Sequence, residues 1–135
     1  MPLTLEDADR MVKAAIGKAK EMNINLSAAV CDAGGHLLAF NRMEGCIWVS
    51  AQVVQGKVVA ATGFGRPSSD VTADSPIIQA IMATQSGRMI PAQGAVPIIQ
   101  NGPIVGAIGG SGGTAQEDED CARKGIEAIG LSATS

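Results

Sequence analysis

The last third of the chain constrains the fold most. An apolar run at residues 104–108 leads into Gly109-Gly110-Ser111-Gly112-Gly113-Thr114, and a helical pattern over 115–129 follows at once. Four glycines at a strand-to-helix junction bring backbones together with no side chain between them. They serve either tight packing or a binding loop. In the second case N–H groups converge where a helix dipole is already positive, and a phosphate or carboxylate can sit there. Thr114 is a candidate N-cap, and Glu117 three residues on completes a capping box. Neither nucleotide template fits, because no Gly-Lys-Ser/Thr follows and the context of a first βαβ strand is missing.

The rest of the chain reads as hairpins and helices. Leu5, Ala8, Met11, Val12, Ala15, Ile16, Ala19 and Met22 fall on one helical face, with Thr4 as N-cap. Strands at 26–31 and 36–43 are joined by Asp32-Ala33-Gly34-Gly35. A helix at 49–62 runs into Gly63-Phe64-Gly65-Arg66-Pro67-Ser68, and Ser75-Pro76 opens a short helix ending at Thr84. Three strands follow at 88–90, 95–99 and 104–108, the last two linked by Asn101-Gly102, a type I′ hairpin signal. The order α-β-β-α-α-β-β-β-α, without βαβ crossovers, predicts an α+β fold with an antiparallel sheet covered by helices.

At 135 residues the chain predicts one domain, 1–135. No run of about 18 apolar residues predicts a membrane span. No secretory leader is visible, so a cytoplasmic location is expected. Only 2% of residues are aromatic and the net charge is −3, which leaves neither a basic stripe nor stacking platforms for nucleic acid. The core must be built from Ala, Val, Ile, Leu and Met, and small side chains with 17 glycines favour close subunit packing in an oligomer. Cys31, Cys46 and Cys121 form no C-x-x-C and read as reduced thiols.

Several side chains could carry chemistry. His36, the only histidine, opens the second strand beside two glycines; it is either structural or a ligand to haem iron. Arg42 and Glu44 end that strand, where Arg42 either clamps a carboxylate or makes a structural ion pair with Glu44 or a neighbouring loop. Trp48, the only tryptophan, either walls a pocket or packs at a subunit interface. Lys57, in an otherwise apolar helix, either snorkels or partners an anion. Arg66 sits in a rigid Gly-Arg-Pro-Ser turn as an anion candidate. The run Glu117-Asp118-Glu119-Asp120 fills the first turns of the last helix, where negative charge complements the dipole.

Taken together, several segments resemble the GlcG/HbpS family of haem-binding-like proteins, a domain also found at the C-terminal end of some corrinoid adenosyltransferases. The matching pieces are Asp32-Ala33-Gly34-Gly35-His36-Leu37, Arg42-Met43-Glu44-Gly45, Gly63-Phe64-Gly65-Arg66-Pro67-Ser68, Gly94-Ala95-Val96-Pro97-Ile98 and Ser111-Gly112-Gly113-Thr114. They span nearly the whole chain in order. The resemblance implies a profilin-like three-layer α/β/α domain with a five-stranded antiparallel sheet in the order 2-1-5-4-3. It also implies homo-oligomers larger than a dimer, possible haem or iron binding, and a setting in small-molecule catabolism. Glu44 stands where Asp is usual, and Cys46 and Trp48 where small or polar residues are common. Haem ligation through a helical histidine does not carry over, because His36 is the only imidazole.

Two functions follow as expectations. The first is a binding protein for haem or another anionic, carboxylate-bearing ligand, with Arg42, Trp48, Arg66 and Ser111, Gly112, Gly113 and Thr114 as ligand-binding residues and His36 as the metal ligand. The second is an enzyme on a small carboxylate-bearing catabolite, with Arg42 and the 109–114 loop orienting it and Glu44 as acid or base, Lys57 or Cys46 standing in reserve. A purely structural oligomer is the third reading.

Overall fold

The computed structural model describes residues 2–131. Helix α1 (Leu5–Glu21) is followed by strands β1 (Ser27–Asp32) and β2 (Leu37–Arg42), helix α2 (Val49–Phe64), a single 3₁₀ turn (Ser68–Asp70) and the short helix α3 (Pro76–Thr84). Strands β3 (Ala95–Ile99) and β4 (Ile104–Ser111) then lead into helix α4 (Ala115–Glu127). The sheet is four-stranded and antiparallel, in the order β2-β1-β4-β3. Helices α1 and α4 pack together on one face, and α2 lies on the other. The fold is therefore α+β with three layers. No described helix is long and apolar enough to cross a membrane.

The caps behave as the sequence predicts. The Thr4 hydroxyl accepts from the Asp7 N–H at 3.1 Å, and Thr114 and Glu117 form a reciprocal capping box. Asn101 and Gly102 both take positive φ, as a type I′ turn requires.

One strand is missing. Residues 88–90 do not pair with β3, so the sheet has four strands where five were expected. Ser86 and Gly87 both turn through positive φ, which breaks an extended run before it begins. The Ile90 N–H then donates to the Gly56 carbonyl of α2 at 3.0 Å, and Pro91 has no N–H to offer a ladder. The segment becomes a strap tied to α2. Gly56 is what admits it, since a Cβ there would meet Ile90 at 2.5 Å.

The junction after β4 also differs. Ser111, Gly110 and Gly109 pair with Ser27, Ala28 and Ala29 of β1, so they belong to the strand and only Gly112 and Gly113 remain as loop. Both faces of β4 are pressed by helices. A Cβ on Gly109 would meet Val58 of α2 at 3.0 Å, and one on Gly110 would meet the Asp118 carbonyl of α4 at 2.8 Å. Close packing accounts for these two glycines.

The same logic separates two helical glycines. Gly17 on α1 has open space where a Cβ would go, so Gly17→Ala should stabilise the fold by about 1 kcal/mol through helix propensity alone. At Gly125 a Cβ would collide with Ile108 and stand 2.8 Å from the Met11 carbonyl. Gly125→Ala should therefore be destabilising despite the same propensity gain. Opposite shifts of the two urea midpoints check this.

Candidate functional site

The candidate residues lie at the two ends of the sheet. Strand β2 separates His36 from Arg42 by roughly 20 Å, and α2 separates Trp48 from Arg66 by roughly 24 Å. His36 and the glycine junction therefore do not share a site, and Arg42 and Arg66 do not share a rim.

At the β4 end the chain supplies its own anions. Asp118 Oδ1 accepts the Gly113 N–H at 2.8 Å, and Glu117 Oε1 accepts the Thr114 N–H at 2.9 Å. Two donors expected to receive a ligand carboxylate are thus engaged by side chains of α4. Gly112, at φ 140°, faces the Asn25 carbonyl and Cys46 so closely that any Cβ would clash. Its glycine is a packing requirement. Ser111 is buried beneath this turn. Arg42 donates to the Cys46 carbonyl at 2.9 Å and so braces the loop after β2 rather than pairing with Glu44. Glu44, Trp48 and Arg66 are exposed, and Arg66 lies over the Phe64 ring.

Lys57 is buried, with 4% of its surface exposed. Its ammonium donates to Asp118 Oδ2 at 3.1 Å and to the Gly110 carbonyl at 3.0 Å. The ion pair leaves α2, passes the end of the sheet between Gly94 and Gly110, and reaches α4. Burial pushes the Asp118 carboxyl up, against the lowering effects of Lys57 and the Gly113 N–H. With two acceptors inside the fold, Lys57 ties two layers together.

The opposite end is built differently. Asp32 Oδ1 accepts the N–H groups of Gly34 and His36, each at 2.9 Å, and stands 3.2 Å from His36 Nδ1. The backbone N–H of His36 is the main reason the Asp32 carboxyl lies below its ordinary range. An ionised carboxylate only accepts, so Nδ1 is the donor of this contact, and in the neutral ring Nε2 then keeps its lone pair. The imidazole is 76% exposed. It stands at the rim of a groove of about 470 Å³ between the β1–β2 hairpin and α2. Cys31, Val58 and Val59 line this groove together with Leu37, Gln55 and Arg88.

Arg88 is the residue that sequence reasoning missed. As a strand position it carried no expectation. The strap places it over the groove, where it donates to the Gly35 carbonyl at 3.4 Å and also borders a neighbouring cavity of about 300 Å³. The available signal was Ser86-Gly87 before it and Pro91 after it, which together leave no room for a paired strand.

None of the thiols is poised to react. All three cysteines are free and buried, and burial pushes Cys31 and Cys121 up to about 11. Among the described residues no three His, Cys, Asp or Glu side chains converge as metal ligands would.

A family model described as haem degrading protein HbpS-like matches residues 3–127. An uncharacterised 15.0 kDa protein of Citrobacter freundii, from the dhaT-dhaS intergenic region, is 30% identical over 128 residues, covering 93% of this chain and 90% of its own. Protein GlcG of Escherichia coli K12 is 31% identical over 107 residues, 79% of each chain. Among solved structures, a PduOC–haem complex shares the fold with a TM-score of 0.89 at 21% identity, covering 100% of both chains.

Removing one partner of a buried pair strands the other. Lys57→Met and Asp118→Asn should each cost about 3–5 kcal/mol, and the double variant should lose less than the sum. Urea unfolding of the four proteins measures this, and additive losses would mean that the pair is not coupled.

Proposed function

Because this chain belongs to the HbpS-like family, we propose that it binds haem, or a similarly planar, carboxylate-bearing ligand, in the groove between the β1–β2 hairpin and α2. The observation that carries this reading is His36 at the groove rim, with Nδ1 held by Asp32 and Nε2 left as a donor to metal. A carboxylate behind an imidazole fixes its tautomer and raises its basicity, which is how metal-ligating histidines are commonly supported.

The other residues suit the same ligand. A groove of about 470 Å³ falls within the range of small-molecule sites, and its Val58, Val59 and Leu37 side chains offer an apolar wall to a macrocycle. Arg88 supplies a fixed positive charge for a propionate-type carboxylate. Bound haem would supply an iron centre with redox chemistry. The chain's part is to ligate through His36, to orient that ring through Asp32, and to hold the acidic edge through Arg88.

Titration with haemin, followed by absorbance, tests the reading. The parent should give a Soret band shifted from that of free haemin at one equivalent, and His36→Ala should abolish the shift. Asp32→Asn should weaken binding by about 10–100-fold, and Arg88→Gln by about tenfold or more. An unchanged band in His36→Ala would mean oxygen or sulfur ligation, or mere adsorption, and would remove the groove from consideration.

A further inference from the structure

The two edges of the sheet are not alike. Strand β3 carries Pro97 at its centre, which blunts that edge against further pairing. Strand β2 contains no proline. The Met43 N–H donates to the Leu26 carbonyl on the β1 side, so by alternation the N–H and C=O of Phe40 and Arg42 point outward, away from β1.

Apolar surface gathers at the same edge. Six large hydrophobic side chains are exposed among the described residues, and four of them flank β2: Leu37 at 48%, Ile47 at 66%, Trp48 at 73% and Val49 at 40%. Helix α2 lies mainly over β1, β4 and β3, leaving the same face of β2 largely uncovered. Phe40 points into that gap, because it pairs with Ala29, whose alternate neighbour Ser27 bonds Ser50 of α2 at 2.7 Å.

We propose that β2 pairs antiparallel with β2 of a second copy across a two-fold axis at Phe40, and that Trp48 of the second copy closes the open side of the His36 groove. The pairing joins two four-stranded sheets into one of eight strands. It sets the two Phe40 rings side by side and puts Arg42 opposite Leu38 of the second copy. Both α2 helices then stand on the same face, with the two β2 strands forming the floor of a trough between them.

Direction does the rest. Helix α2 starts near the Arg42 end of β2 and runs toward the His36 end. Antiparallel pairing therefore carries the start of the second copy's α2, with its Ile47 and Trp48, to the His36 end of this copy. Glu44 of the second copy arrives opposite His36, a carboxylate facing an imidazole. The area is sufficient: four apolar side chains from each copy at on the order of 100 Å² each, with the strand edges added, reach the roughly 1,000 Å² that a specific interface needs. Closure of the groove rests on the haem reading above; the strand pairing does not.

Sedimentation and fluorescence test both halves. The chain mass is 13.7 kDa, so the parent at micromolar concentration should sediment as twice 13.7 kDa or an even multiple of that pair. Phe40→Lys, which sets two charges together across the axis, should sediment at no more than half the parent's mass with unchanged circular dichroism. Trp48, the only tryptophan, should emit as a buried indole in the assembly and shift red on dilution in step with dissociation. The dilution series decides the matter should Phe40→Lys not fold. A monomeric parent, a Phe40→Lys variant that keeps the parent's mass, or solvent-like Trp48 emission in the assembly would each overturn the proposal. Haemin should quench Trp48 in the parent and bind Phe40→Lys at least tenfold more weakly. Equal binding by that variant would remove the shared site and leave the groove reading intact. An assembly that pairs as described but takes no haemin would support the interface and overturn the haem reading instead.

Discussion

The buried ion pair between Lys57 and Asp118 is the contact on which the layered arrangement depends. Helices α2 and α4 lie on opposite faces of the sheet, and a side chain that joins them must pass its end. Lys57 has the length to do so, and Gly94 and Gly110 leave it the space. The carboxylate it reaches is shared, since Asp118 also holds the Gly113 N–H. One residue thus ties a helix, a strand end and a turn, and the turn fixes where α4 begins. Charges out of water are costly unless every donor and acceptor is met. Here no buried side-chain polar atom among the described residues lacks a partner.

The same pair explains why the glycine junction misleads as a binding site. Converging N–H groups and a helix dipole do select for an anion, as the physics requires. The anions chosen are Asp118 and Glu117, which are on the helix itself, five and three positions from the donors they meet. An acidic run at a helix start then satisfies the helix as well as complementing its dipole.

Much of the fold was legible because its signals are local. Thr4, the Thr114–Glu117 box, the Asn101-Gly102 turn and the apolar stripe of α1 each act within a few residues. What failed to show was decided at long range. Ser86-Gly87 and Pro91 speak locally against a strand, but where Ile90 goes instead, to Gly56 thirty-four positions earlier in the chain, is announced by nothing near it. Lys57 and Asp118 are sixty-one positions apart, so the lysine looked available. Arg88 became part of the groove only because the strap carried it there. The site residues that could be read, Asp32 and His36, sit four positions apart in one turn.

Cys31 shares the groove with His36, and its thiol is pushed up to about 11. Burial thus holds this sulfur in the thiol form at neutral pH, and it is the thiolate that attacks peroxides and other electrophiles. A redox-active guest seated against this wall would therefore meet sulfur in its inert form. The small, dry packing of a core without tyrosine acts in this way as chemical insulation for the sulfur that borders the groove.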